Sequence, residues 1–336
     1  MSATKPRHGS GNYFFLSTGP VPDTALLMLG RAAPVHVAPD QSEATLIGLA
    51  PGAIGLVVRA DARITTRVID AATSLRVIGR TGVGYDNVDV AAATARGIPV
   101  VITPGANARG VAEATLASML ALSKNLAALD RCTRDGRWSE RNTTPIGDLR
   151  GQALGLIGFG RIGREVAKLA QAFDMRVLVF DPILSSDAAA TFGITRCNLD
   201  VLFGEADVIS LHLPLTDETQ GMVNRSTLSR MKRGVMLVNF SRGGLFESLD
   251  VIDEALQSGQ VGSAAIDTFP TEPPDVTHPI FKRPNVLFSP HSAGISRDAF
   301  EQISVMMCDA MLAVLSVGTP DNVANPMVYD ALRGTV

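Results

Sequence analysis

Along the chain, short runs of apolar and β-branched residues alternate with longer stretches in which apolar side chains recur every three or four positions. The runs YFFLS, PVHVA, GLVV, LRVIG and IPVVI, all before residue 105, predict strands, and helical spacing falls between them near 23–30, 40–49, 65–73 and 89–96. Alternation at this spacing predicts parallel βαβ units, so the first third of the chain is an α/β domain. One long helical pattern follows over 109–130, RGVAEATLASMLALSKNLAALD, a candidate domain connector, and the turn-prone RDGRWSERNTTPIGDLRG comes after it. A second series, LGLIG, RVLVF, DVISLHL, VMLVNF, VGSAAID and NVLF, supplies six more strand candidates, the number of a doubly wound dinucleotide domain. The final apolar-periodic stretch, SRDAFEQISVMMCDAMLAVLSVG, predicts a helix that returns to the first domain.

Composition narrows the class without choosing a function. At 336 residues, 46% hydrophobic and 19% charged, the chain has room for two domains and a large core. A net charge of −3 with no basic cluster gives no footprint for nucleic acid or an anionic membrane. Cys132, Cys197 and Cys308 form no C-x-x-C pair, which points to a reducing compartment and away from a metal site. No apolar run approaches the ~18 residues of a membrane span. MSATKPRHGSGN lacks the apolar core of a signal peptide, so a cytoplasmic protein with a loose N-terminus is expected.

Chemistry first shows in GLIGFGRIG, residues 155–163, where Gly158, Gly160 and Gly163 stand at the G-x-G-x-x-G spacing. The spacing alone is weak in a chain with 31 glycines. Its context is stronger: a strand precedes it, and Ile162, Val166, Leu169 and Phe173 follow at helical spacing. At such a junction Gly158 permits the tight turn, Gly160 lets backbone approach a pyrophosphate, and Gly163 lets helix and strand pack closely. The next strand ends in Asp181, placed to accept hydrogen bonds from both ribose hydroxyls of an adenosine. The bland alternative is a flavodoxin-like turn that binds no nucleotide.

From Ile54 to Gly294 the ordered motifs VVRADARIT, VIGRTGVGYDNVDVAAATARGIPVVITPGANARGVAEATL, the glycine fingerprint, DVISLHLPLTDETQGMVN, LVNFSRGGL, AAIDTFPTEPP and NVLFSPHSAG resemble the D-isomer-specific 2-hydroxyacid dehydrogenases. The resemblance implies a Rossmann NAD-binding domain (109–295) inserted into a flavodoxin-like substrate domain (1–108 with 296–336), which explains why the fingerprint comes so late. It also implies a catalytic trio of Arg242, Glu272 and His291. A guanidinium can hold a carboxylate and polarise a carbonyl; an imidazole supported by a carboxylate can give or take the hydroxyl proton. Taken singly, each has a bland reading as surface charge, turn residue or loop histidine. His212 competes for the acid/base role, but the resemblance places its segment against the cofactor; His8, His36 and His278 lie outside any catalytic motif.

The resemblance further implies that Phe159, Arg161 and Ile162 meet the pyrophosphate through backbone, that Pro182 borders the adenine, and that Asp267 holds the nicotinamide carboxamide. Leu213, Pro214, Thr219, Phe240, Ser241, Ala293 and Gly294 fall on cofactor-lining positions, and Val83 and Gly84 on the loop whose N–H groups hold the substrate carboxylate. Arg59, Arg80 and Asn107 resemble the 3-phosphoglycerate dehydrogenase branch, which makes 3-phosphoglycerate/3-phosphohydroxypyruvate the expected pair, with hydroxypyruvate or glyoxylate reduction as the alternative. An NADH-sensing corepressor is the non-enzyme alternative; formate dehydrogenase is disfavoured by Glu272, where glutamine is usual. The implied assembly is a homodimer, and the chain's end soon after the returning helix predicts no C-terminal regulatory domain. Phe246, Glu247 and Ser248 replace the usual Val-Asp-Glu, and Ser292 follows His291 where an apolar residue is common.

Overall fold

A computed structural model describes residues 13–333. The N-terminal stretch read for targeting, with His8, lies outside the described residues. The chain divides into two compact units, one formed by residues up to Asn107 together with those from Ser296 onward, the other by Ala108–Ile295. The second is therefore inserted into the first along the chain.

The first unit is built on strands β1 (Phe14–Ser17), β2 (Val35–Val37), β3 (Ala53–Val58), β4 (Val77–Arg80) and β5 (Val100–Val101). All pair in parallel in the order β2-β1-β3-β4-β5, a flavodoxin-like order. Buried side chains lie in two clusters: Leu46, Leu56, Val68 and Ile78 in one, Phe15, Val57, Val77 and Met311 in the other. The returning helix, Arg297–Leu315, lies against β4 because Gly79 leaves room: a Cβ there would sit 2.2 Å from Met311 Sδ. Beyond it the chain closes the β5 edge. Val323 bridges Val101 antiparallel, and the buried Asn325 side chain accepts from Val100 N–H at 2.8 Å while donating to Ile98 O at 3.0 Å. A last helix, Val328–Arg333, has no counterpart in the pattern reading.

The inserted unit contains β6 (Ala153–Ile157), β7 (Arg176–Phe180), β8 (Thr195–Arg196), β9 (Val208–Leu211), β10 (Val235–Asn239), β11 (Val261–Ile266) and β12 (Val286–Phe288). Its parallel order, β12-β11-β10-β9-β6-β7-β8, is the doubly wound dinucleotide arrangement with one strand added. Six strands were expected. The seventh, β8, is a two-residue exposed edge strand whose polar TR carries no hydrophobic signal.

The long helix expected over 109–130 is broken into Ala108–Ser123 and Leu126–Arg134. Asn125 adopts the left-handed conformation (φ 51°) between them, and Gly147 N–H takes the freed Ser123 carbonyl at 2.8 Å. Asparagine tolerates that conformation, whereas the apolar periodicity runs on through Leu126 and Leu129 and conceals the break. On the fingerprint helix, Arg161–Gln171, the buried face is Gly163, Val166, Ala167 and Ala170; Phe173 lies beyond the helix and is exposed.

Candidate active site

The order in which strands are added to the parallel inserted sheet reverses between β6 and β9, the place where doubly wound sheets bind ligands. The fully buried β6 ends in Gly158 (φ 97°), where a Cβ would stand 2.3 Å from His212 O at the end of β9. A Cβ on Gly163 would meet Gly158 O at 2.5 Å, so helix and turn touch only because neither carries a side chain. Gly160, the helix N-cap, faces open space instead. The cradle therefore fits a dinucleotide: the turn is glycine-tight where protein meets protein and clear where a pyrophosphate would come. The first-turn N–H groups of Arg161 and Ile162 lack intrahelical acceptors by the geometry of a helix start.

Phe159 N–H donates to Asp181 Oδ2 at 2.7 Å, and Ile183 N–H donates to Asp181 Oδ1 at 2.9 Å. Asp181 thus braces the fingerprint and offers its remaining lone pairs outward. Pro182 and Ile183 beside it are exposed, Ile183 at 93%. On β9 the hydroxyl of buried Ser210 lies 2.9 Å from His212 Nε2, while His212 Nδ1 is shut from solvent with no hydrogen-bond partner among the described residues. Desolvation pushes this imidazole down to about 4, so it is neutral near pH 7 and unsuited to supply a proton there. Downstream, Ser241 Oγ donates to Leu213 O, and Thr219 Oγ1 donates to Pro214 O at 2.8 Å and accepts from Thr216 N–H at 2.8 Å, which fixes the expected cofactor-lining loop.

The expected trio, Arg242, Glu272 and His291, stands at the carboxyl ends of the next strands. After β10, wholly buried Asn239 builds the turn that carries Arg242: its Nδ2 donates to Arg242 O at 2.9 Å and its Oδ1 accepts from Ser241 N–H at 3.2 Å. Phe240 is buried beside it, and Arg242 Nη1 donates to Ser241 O at 2.8 Å. Gly243 brings this turn against the segment after β11, since a Cβ would lie 1.9 Å from the Phe269 carbonyl carbon. That segment holds Glu272, whose Oε1 accepts from Phe269 N–H at 3.0 Å while Oε2 meets His291 Nδ1 at 2.8 Å. Partial burial pushes the Glu272 carboxyl up, but the bonds from His291 and Phe269 N–H, with the charge of Arg242, bring it below its ordinary value.

Asp267 holds His291 in place. Only 1% exposed, its carboxylate accepts from Ser289 Oγ at 2.5 Å, Ser292 N–H at 2.8 Å and Ala293 N–H at 3.1 Å, and its carbonyl accepts from His291 N–H at 2.8 Å. His291 itself is left-handed (φ 51°), a conformation histidine adopts more readily than most side chains. The unusual Ser292 contributes a backbone N–H, which any residue but proline supplies, so its side chain leaves this clasp unchanged. Ala293 and Gly294 continue the same loop.

In the other unit, Arg59 donates to Pro20 O at 2.9 Å and lies over the Phe300 ring at 5.2 Å. Arg80, at the end of β4, is 8% exposed and donates to Thr81 O at 2.6 Å. Val83 is exposed, Gly84 half-buried, and Asn107 ends the segment ahead of helix Ala108–Ser123. The remaining histidines take structural roles: His36 stacks on Phe14, and His278 caps the short helix Pro279–Lys282 and pairs with Asp250. Sequence reading missed Asn239, Gly243 and Ser289. A polar residue closing the apolar strand VMLVN and a paired glycine were the available signals for the first two.

Residues 116–293 match the model of the D-isomer specific 2-hydroxyacid dehydrogenase, NAD binding domain. The chain belongs to this family. It is 38% identical over 275 residues to D-3-phosphoglycerate dehydrogenase of Archaeoglobus fulgidus, covering 82% of this chain and 52% of that one. It is 36% identical to hydroxypyruvate reductase of Thermotoga maritima, covering 81% and 88%. The TT0316 protein of Thermus thermophilus superposes with a TM-score of 0.84 at 36% identity, covering 93% and 99%. The chain spans about half the length of the phosphoglycerate dehydrogenases it matches. Family and topology together make this a two-domain α/β protein with the NAD-binding domain inserted. No helix among the described residues is long and apolar enough to cross a membrane.

Proposed function

We propose that the chain is an NAD-dependent dehydrogenase that interconverts a 2-keto acid and a D-2-hydroxy acid, most specifically 3-phosphohydroxypyruvate and 3-phosphoglycerate. The observation that carries the reading is the 2.8 Å bond between Glu272 and His291 Nδ1, on a loop clasped by Asp267 and beside the turn of Arg242. With Nδ1 engaged, Nε2 is the nitrogen that exchanges a proton with substrate oxygen. In reduction the imidazolium gives that proton to the carbonyl oxygen, Glu272 stabilises the imidazolium beforehand, and Arg242 holds the carboxylate and polarises the carbonyl. Bound NADH supplies the hydride. Val83 and Gly84 N–H groups receive the substrate carboxylate, and Arg59 and Arg80 receive the phosphate; similarity to phosphoglycerate dehydrogenases supports that assignment.

Hydroxypyruvate reduction is the second reading, favoured by one observation: the Thermotoga maritima hydroxypyruvate reductase is matched over 88% of its length. A reducing, cytoplasmic setting fits three free thiols. The test is NADH oxidation with 3-phosphohydroxypyruvate, hydroxypyruvate, glyoxylate and pyruvate. A preference for the phosphorylated acid is expected. Higher kcat/KM for hydroxypyruvate selects the second reading, and NADH binding without turnover of any acid overturns both.

A further inference from the structure

We infer that Asn87 is a positioning residue that holds the carboxylate-receiving loop and both substrate-side arginines as one piece. The inference rests on the functional reading above, because it takes from it what Arg59, Arg80, Val83 and Gly84 receive. Asn87 closes the loop that begins at Gly82, and its side-chain amide is fully engaged with protein. Nδ2 donates to Arg59 O at 3.0 Å and to Ala62 O at 2.5 Å, with Ala60 O at 3.4 Å, while Oδ1 accepts from Arg80 Nε at 3.3 Å. One amide therefore ties the turn that carries Arg59 to the guanidinium of Arg80.

The amide orientation is forced, since a flip would set its oxygen against three carbonyls and its NH₂ against a cation. Other ties lead elsewhere: Arg59 N–H donates to Thr18 Oγ1 at 3.0 Å, and Gly82 O accepts from Thr103 N–H at 3.0 Å. The turn's own bond, Ala62 N–H to Arg59 O, is long at 3.4 Å, and backbone pairing joins Asn87 only to Ile64, through Ile64 N–H to Asn87 O at 2.8 Å. Arg80 in turn lies under the loop: it donates to Thr81 O, and a Cβ on Gly82 would stand 2.9 Å from Arg80 Nη1. Loss of the Asn87 amide removes the direct link between the Arg59 turn and the Arg80 guanidinium, beside the segment bearing Val83 and Gly84. Carboxylate and phosphate recognition should then weaken jointly, with little change in the reacting groups, all of which lie in the other unit.

Asn87→Asp tests this at constant size, because it replaces two donors with an acceptor facing carbonyls; Asn87→Ala and Asn87→Ser accompany it, and whichever variants fold are used. KM is expected to rise about tenfold or more for hydroxypyruvate and glyoxylate, and further for 3-phosphohydroxypyruvate, with kcat changed about threefold or less. In a background that lacks both side chains, Arg59→Ala with Arg80→Ala, the extra, phosphate-selective increase should vanish, as it acts through those two arginines. General loosening of the unit would instead lower kcat for every acid in either background. Unchanged KM in the folded variants, or a phosphate-selective increase that persists without both arginines, overturns the inference. Absence of turnover in the unsubstituted protein fails the functional reading instead, and lack of preference for the phosphorylated acid fails only its substrate; KM for any acid that is reduced still decides the role of Asn87.

Discussion

His212 makes the stability of the inserted unit depend on pH in a direction and over a window that the structure specifies. Its imidazole titrates at 6.5 in the unfolded chain and is pushed down to about 4 by desolvation in the fold. A group whose folded pKa is depressed contributes stability that is present above the unfolded value and lost as pH falls through the folded one. The loss therefore begins near pH 6.5 and is complete below pH 4, with a full extent on the order of 3 kcal/mol. At pH 5, where the unfolded imidazole is almost wholly protonated and the folded one almost wholly neutral, about 2 kcal/mol of it has gone. Although the residue as a whole is half-buried, Nδ1 has neither water nor a partner among the described residues, so a proton there would be uncompensated. Cofactor-free urea unfolding at pH 7.5 and 5.0, followed by the fluorescence of the single tryptophan, Trp138, reads the unit that contains His212. His212→Gln removes the titration and should shrink the pH difference in unfolding free energy by about 2 kcal/mol at equal m-values. An equal difference in both proteins would refute a desolvated neutral imidazole.

Three further outcomes are expected. Glu272→Gln takes the carboxylate from His291 Nδ1, so kcat for reduction should fall about tenfold or more while the NADH Kd stays within a few-fold; an unchanged kcat excludes this support role. Gly243→Ala forces the Arg242 turn off Phe269, and a displacement near 1 Å should lower kcat about a hundredfold while the NADH Kd, read by fluorescence, stays within a few-fold; near-normal kcat would show that the turn gives way harmlessly. Asp181 would repel a 2′-phosphate, so kcat/KM should favour NADH over NADPH by about tenfold or more, and equal values would remove Asp181 from cofactor selection.

Much of this protein was legible in order along the chain. Apolar runs and helical spacing identify both sheets because burial on two faces demands nearly continuous hydrophobic strands. The fingerprint was legible because it depends on residue type at a fixed place, glycine where backbone meets backbone, whereas Arg242, Glu272 and His291 were picked out only by resemblance, each being ambiguous alone. Elements that carry no such demand stayed hidden, among them the exposed edge strand Thr195–Arg196 and the helix break at Asn125, where a backbone conformation rather than a hydrophobic face decides.

What the chain alone could not decide is which groups spend their hydrogen bonds on one another. Asp267 was expected to face the nicotinamide, and in the fold its carboxylate clasps the His291 loop with three donors. Phe159 N–H is taken by Asp181. Asn239, Gly243 and Asn87 carry no catalytic signature, yet they set the places of Arg242, Glu272 and Arg80 through contacts across 3 to 28 residues. Residue types announce what chemistry is available; hydrogen-bond saturation and steric contact, which exist only once distant segments meet, decide where each group is held and which remain free to act.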